Sequence, residues 1–349
     1  MPAHIMELPR RVVVGHDILK GVGRLLEGLE LGKKALVLSG EHVKGVAGAA
    51  LVDHLNSQGF DARWEGVESS TFQQVERASD IGRKFGADFF VGVGGGKSID
   101  VAKLASFNCK VPFVSVPTSA SHDGISSPFG SVKGLDRPYS VVAKPPIAII
   151  ADIEIILKAP HNLLISGCGD LVSKKTAVKD WQLSNLRTGE YYGMYSASLA
   201  LLSANLIIDN SQLIASKDPE CVRVVVEALI SSGVAAGIAG SSRPCSGSEH
   251  LFSHAMDIVA PGKGLHGEKC GIGTIMMAKL HGVSFHEIRD ALQTMGAPVT
   301  ASQIGASPDE VVKSLVMAAS IRKERYTILS EVNLTENSAK ELASETGVI

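Results

Sequence analysis

The 349-residue chain lacks any large excess of charge: its formal net charge is −2, which gives no field for grasping nucleic acid or an anionic membrane. No uninterrupted apolar run reaches transmembrane length, and no basic segment followed by an apolar one opens the chain, so neither membrane insertion nor export is expected. Cysteine is sparse. Cys109, Cys168, Cys221, Cys245 and Cys270 are odd in number, scattered and never spaced C-x-x-C. They read as reduced thiols in a cytoplasmic protein, and none is assigned to a metal. Aromatic residues make up only 5%. With so much Gly, Ala, Val, Ile and Leu, that scarcity suits a tightly packed α/β scaffold. Internal repeats, low-complexity tracts and long linkers are also missing.

What is present is a change of character near the middle. Arg11–Val14, Lys34–Leu38, Phe60–Trp64, Asp88–Val93, Val111–Val116 and Pro146–Ala151 read as strands. Helical stretches separate them, one running from about Val43 to Ser57 and another capped by Ser70 or Thr71 and reaching Phe85. Phe129–Val142, with turn signals at Lys133-Gly134 and Arg137-Pro138, reads as a β-hairpin excursion. Strands alternating with helices imply a largely parallel sheet covered on both faces. Beyond Asp152 no strand is convincing, and Ala197–Ile208 and Val222–Ile238 are apolar enough for buried helices. An α/β domain over 1–160 and a helical domain over 161–349 are therefore expected, sharing a cleft where ligands bind.

Two loops follow strands. Gly94-Gly95-Gly96-Lys97-Ser98-Ile99-Asp100 opens a helix, where glycines let backbone N–H groups approach a phosphate. The spacing is neither G-x-G-x-x-G nor that of a P-loop. The plainer reading is a tight turn with Ser98 as helix cap. Thr118-Ser119-Ala120-Ser121 would line the same crevice if the strands are parallel, with Asp123 and Ser127 at its mouth. Asp123 suits a turn as well as it suits substrate contact.

Three of the eleven histidines, His250, His254 and His266, fall in one short segment. His250 and His254 share a helix face, and Pro261-Gly262-Lys263-Gly264 then breaks the helix, leaving His266 at the start of the next. This suits a pair of metal ligands, although a polar seam between helices has the same pattern. Asp170, in Gly167-Cys168-Gly169-Asp170, is read as starting a helix. It is either a simple cap or the third ligand, giving a two-histidine, one-carboxylate set with flanking glycines leaving room.

Five motifs, GGGKSID, PTSASHDG, GCGDLVSK, SGSEHLFSHA and LHGEKCG, occur in this order across most of the chain. Together they resemble the polyol and iron-containing alcohol dehydrogenase superfamily, which includes glycerol dehydrogenase and dehydroquinate synthase. Its archaeal-type sn-glycerol-1-phosphate dehydrogenases are the most similar branch. The resemblance implies a Rossmann-like dinucleotide-binding domain followed by a dehydroquinate synthase-like helical domain for metal and substrate. It implies NAD(H) or NADP(H) on Gly95, Gly96, Lys97, Ser98, Ile99, Asp100, Thr118, Ser119, Ala120 and Ser121, with Ser127 near the nicotinamide. It places Zn²⁺ on Asp170, His250 and His266. Asp123, Asp170 and His254 would surround the substrate, with His254 and Asp123 catalytic.

Departures from related branches sharpen this. Lys174 stands where iron-dependent members carry a fourth-residue histidine, which favours zinc. Asp170 and Ser173 replace the Glu and Lys of dehydroquinate synthases. The second strand ends in Ser39-Gly40 without the carboxylate that holds the adenosine ribose in glycerol dehydrogenases, which admits NADP(H). The implied reaction is reversible reduction of dihydroxyacetone phosphate to sn-glycerol 1-phosphate in a homo-oligomeric cytoplasmic enzyme of archaeal lipid biosynthesis. Glycerol dehydrogenation and a lyase of dehydroquinate synthase type are the alternatives. Arg243, Lys144 and Lys133 are the candidates to hold the substrate phosphate.

Overall fold

A computed structural model describes residues 4–132 and 139–349. The chain divides into two compact units, Met1–Pro160 and His161–Ile349.

The first unit is built on six strands. They are β1 (Arg11–Gly15), β2 (Lys34–Ser39), β3 (Asp61–Gly66), β4 (Phe89–Gly94), β5 (Phe113–Pro117) and β8 (Ala148–Asp152). Their order across the sheet is β1-β8-β5-β4-β2-β3, and every neighbouring pair is parallel. β4, β5 and β8 are buried at every position, as strands covered on both faces must be. The edge strand β3 instead buries only Ala62 fully, with Asp61 and Arg63 on either side exposed. β6 (Phe129–Val132) and β7 (Tyr139–Val142) form the expected separate antiparallel pair. The turn signals at Lys133-Gly134 and Arg137-Pro138 lie outside the described residues.

Four strands (β3, β4, β5 and β8) begin one or two residues later than their sequence suggests, and at β5 and β3 helix ends claim the first residues. Lys110 adopts the left-handed conformation and the Val111 N–H bonds back to the Ser106 carbonyl, so β5 starts at Phe113. Likewise the Phe60 N–H closes the preceding helix on Leu55, and β3 starts at Asp61. Thr71 is the cap of Phe72–Phe85, its hydroxyl accepting from the Gln74 N–H.

From β2 the chain moves outward to β3, whereas from β4 it moves the other way to β5. The carboxyl ends of β2 and β4 thus flank the point where strand order reverses, which is where open parallel sheets bind ligands.

The second unit is helical, and no strand occurs among its described residues. Met194–Asp209 and Pro219–Ala239 pack against each other in its core. Pro219–Ala239 is long and apolar enough to cross a membrane, but 67% of its apolar window is buried inside this unit. Asp170 does not start a helix. It lies in the last turn of His161–Val172, because the helical half already begins at His161.

Candidate metal and substrate site

In the first unit, the glycine loop caps Gly96–Cys109 without a side chain: Gly95 is the cap residue, and Ser98 is already inside the helix. Ser98 Oγ instead accepts from the Gly40 N–H at 3.2 Å, fastening the end of β2 to the loop. The Thr118 N–H donates to the Gly94 carbonyl at 3.0 Å, so the second loop lies beside the first. The glycines have structural reasons of their own. Gly94 has φ of 142°, and a Cβ on Gly96 would fall 2.1 Å from His122 Nε2. What points to an anion is the uncapped first turn of a 14-residue helix at the switch point.

Thr118, Ser119, Ala120 and Ser127 are buried around this edge. Ile99 is core, and the buried Asp100 accepts from the Ser131 N–H at 3.1 Å, fastening the hairpin. Asp123 opens a short 3₁₀ turn. Lys103, which sequence reasoning missed, has a fully buried ammonium that donates to the carbonyls of Gly124 and Phe129 at 2.9 and 2.6 Å. It thereby holds the segment carrying Asp123 and Ser127. One expectation needs correcting: a carboxylate does stand just past β2, since Glu41 opens the next helix, exposed and 3.5 Å from the Lys44 ammonium.

In the second unit, Ser248–Val259 carries His250 and His254, and His266 is the first residue of His266–Leu280. The latter helix packs on His161–Val172 at backbone contact. A Cβ on Gly169 would lie 2.2 Å from the Gly267 carbonyl oxygen, so the glycine beside Asp170 serves helix approach rather than ligand room. That approach brings Asp170, His250, His266 and Cys270 together, with one donor atom from each within 4.8 Å of all the others. Cys270 is thus a thiol that composition left unassigned and that the fold places in the cluster. His254, one turn from His250, stays outside this set. Its ring lies 6.2 Å from that of His266.

The cluster is held from behind. Glu249 is fully buried, and its Oε1 bonds His250 Nδ1 at 2.8 Å, leaving Nε2 facing Asp170 Oδ1 at 3.4 Å. Gly247 N–H and the Thr176 hydroxyl also donate to Glu249. A carboxylate on one imidazole nitrogen fixes the ring so that the other can ligate. Lys174, also wholly buried, places its ammonium 2.8 Å from Asp170 Oδ1.

The electrostatics suit a cation. Burial raises the Asp170 carboxyl, but Lys174 and His250 outweigh it and hold the group well below its ordinary value. Burial also raises the Cys270 thiol, yet the two imidazoles bring it down to about 6. Ionised oxygen and sulfur beside two imidazoles form a donor set suited to a divalent ion such as zinc. His254 differs. Burial, then the charges of His266, His250, Arg322 and Lys269, depress it well below 6.5, and its buried Nδ1 has no hydrogen-bond partner among the described residues.

The candidate phosphate anchors fare unequally. Arg243 is 4% exposed, and its guanidinium holds Glu190 at 2.5 and 2.8 Å and the Tyr326 carbonyl at 2.8 Å. It is an internal clamp. Arg243→Met should cost about 1–2 kcal/mol in denaturant unfolding while leaving KM unchanged, because Glu190 is partly exposed and keeps Ser184 when it loses its charged partner. Burial raises the Glu190 carboxyl, but Arg243 and Ser184 lower it below 4.5 overall. The clamp's contribution is therefore present above pH 4.5 and lost as pH falls through the folded value, so the two proteins should converge in acid. Lys144 is solvent-exposed and pairs with Glu7, and Lys133 lies outside the described residues. Of the two cations acting on His254, Lys269 is held by Asp257. Arg322, just past the end of Pro308–Ile321, is half-buried; its carbonyl accepts from the Arg325 N–H at 3.0 Å, and its guanidinium feels the charge of Glu324. Nothing in its local sequence distinguishes it from neighbouring Lys323 and Arg325.

The chain has the fold of glycerol dehydrogenases and iron-containing alcohol dehydrogenases. The structure of glycerol dehydrogenase from Schizosaccharomyces pombe superimposes with a TM-score of 0.82 over 99% of this chain and 92% of that one, at 19% identity. An iron-containing alcohol dehydrogenase from Thermotoga maritima gives 0.73, covering 99% of both chains at 18% identity. The sequence model of the iron-containing alcohol dehydrogenase family matches residues 13–160. Much stronger likeness comes from glycerol-1-phosphate dehydrogenase [NAD(P)+] of Nitrosopumilus maritimus, 52% identical over 100% of this chain and 98% of the relative. The enzyme of the same name from Thermococcus sibiricus is 48% identical over 99% of both. The chain belongs to the glycerol-1-phosphate dehydrogenase family.

Proposed function

We propose that this protein reduces dihydroxyacetone phosphate to sn-glycerol 1-phosphate with NADH or NADPH, reversibly, supplying the backbone alcohol of archaeal membrane lipids. The observation that carries this is full-length identity of 52% to a relative named for that activity. The assembled donor cluster fits it. Asp170, His250 and His266 would hold the metal, and the loops at Gly95–Asp100 and Thr118–Ser121 would bind the dinucleotide. Asp123 and Ser127 would stand at the nicotinamide and substrate end. A cytoplasmic homo-oligomer belongs to the same proposal, supported by exposed Leu186, Met194, Tyr195 and Leu202.

Reduction of a ketone needs a hydride on carbon and a proton on oxygen. The nicotinamide supplies the hydride, and a divalent ion in the cluster supplies Lewis-acid stabilisation of charge developing on that oxygen. The chain's own residues do the rest. Glu249 keeps His250 in the ligating orientation, and Lys174 keeps Asp170 ionised. His254, neutral at pH 7, offers one donor and one acceptor, the pair of functions required to hold the substrate oxygen and pass a proton through the ring.

The phosphate is assigned to Arg322, a half-buried cation whose charge reaches His254. A charge-assisted hydrogen bond contributes about 1.5–3 kcal/mol, so Arg322→Ala should raise KM for dihydroxyacetone phosphate about 10–100-fold. Turnover of unphosphorylated dihydroxyacetone should scarcely change. Steady-state kinetics on both ketones test this, and equal losses on the two would remove Arg322 from the phosphate site.

A further inference from the structure

We propose that Cys270 is a fourth protein ligand of the metal, so that the centre is Asp–His–His–Cys rather than a carboxylate with two imidazoles alone. The proposal rests on the reading of Asp170, His250 and His266 as ligands and concerns what completes them.

Cys270 and His266 lie four residues apart on one helix, so their side chains share a face. The Cys270 side chain is wholly buried, and its sulfur is 3.6 Å from His266 Nε2. Asp170 Oδ1 and His250 Nε2 are 3.4 Å apart. Metal–ligand bonds of about 2.0–2.3 Å place ligand atoms on tetrahedron edges of about 3.3–3.8 Å. Both measured edges fall in that range, one with sulfur and one without.

The chemistry agrees. Thiolate is a soft donor that zinc accepts readily, and oxygen, two nitrogens and sulfur make a mixed zinc set. Catalytic zinc ordinarily keeps three protein ligands and one open position, so substrate oxygen would enter a four-ligand centre as a fifth neighbour. The other buried thiol near the cluster in sequence, Cys168, precedes Asp170 by two residues and is absent from the donor group.

X-ray absorption at the zinc edge of the full-length, zinc-loaded protein tests this directly. One sulfur at about 2.3 Å among nitrogen and oxygen neighbours is expected. In Cys270→Ser the sulfur contribution should vanish, and the zinc dissociation constant should rise more than about 100-fold, since loss of an outer partner alone costs about 10–100-fold. Stoichiometric zinc with only nitrogen and oxygen neighbours overturns the proposal and leaves the three-ligand reading intact. A sulfur signal that persists in Cys270→Ser overturns it too. Failure to bind zinc at all sinks both.

Discussion

His250→Ala is expected to lose zinc and at least about 10³-fold in kcat, because Lewis-acid stabilisation contributes several kcal/mol and each 1.4 is tenfold. His266→Ala should behave alike. Dinucleotide affinity should stay within about twofold in both, since the loops that would bind it belong to the other compact unit. Removing His250 also strips the buried Glu249 of one partner, so some loss of stability will accompany that variant. A chelator avoids this complication. Stripping zinc from the unmodified enzyme should abolish turnover, and restoring zinc should recover it. Zinc content, NADPH affinity and kcat on the same samples decide the matter. A His250→Ala protein with full zinc and a normal rate would show that the cluster is not the metal site.

His254→Ala should instead keep its zinc while kcat/KM falls about 10²–10⁴-fold, the usual contribution of a positioned proton-transfer group. The grounds are the buried Nδ1, unpartnered among the described residues, and the absence of His254 from the donor set. Protonation should become visible only well below 6.5, because burial and the surrounding cations depress His254. The wild-type rate should therefore remain level through the ordinary histidine range, and an acid limb belonging to His254 should disappear in the variant. A histidine that only packs would lower the melting temperature and leave kcat/KM nearly untouched. Loss of zinc from His254→Ala with zinc retained in His250→Ala would exchange the two roles.

Much of this site was legible because its signals are local. The i, i+4 histidines and the Pro-Gly break predict two helices with His266 opening the second, and the structure has that arrangement. The alternation of strands and helices predicts the parallel sheet, with β3, β4, β5 and β8 each starting one or two residues late, at β3 and β5 because helix ends consume backbone donors.

What escaped depends on contacts distant in sequence. Asp170 reads as a helix start because Gly167-Cys168-Gly169 resembles a break. Those glycines in fact sit within a helix, where Gly169 admits the backbone at Gly267. Cys270 is the exception: it follows His266 by four residues on one helix, a local signal passed over because the cysteines show no C-x-x-C spacing. Glu249 and Lys174 look like surface charges by composition, yet both are wholly buried. Arg243 fits the pattern of a phosphate anchor until its clamp on Glu190 is seen.

The most direct test of the account is product analysis with zinc-loaded enzyme, NADPH or NADH and dihydroxyacetone phosphate. Oxidation of the nicotinamide in step with formation of sn-glycerol 1-phosphate, and much slower reduction of unphosphorylated dihydroxyacetone, is the expected result. No net oxidation of either cofactor with that ketone, or a product of the opposite configuration, would contradict it.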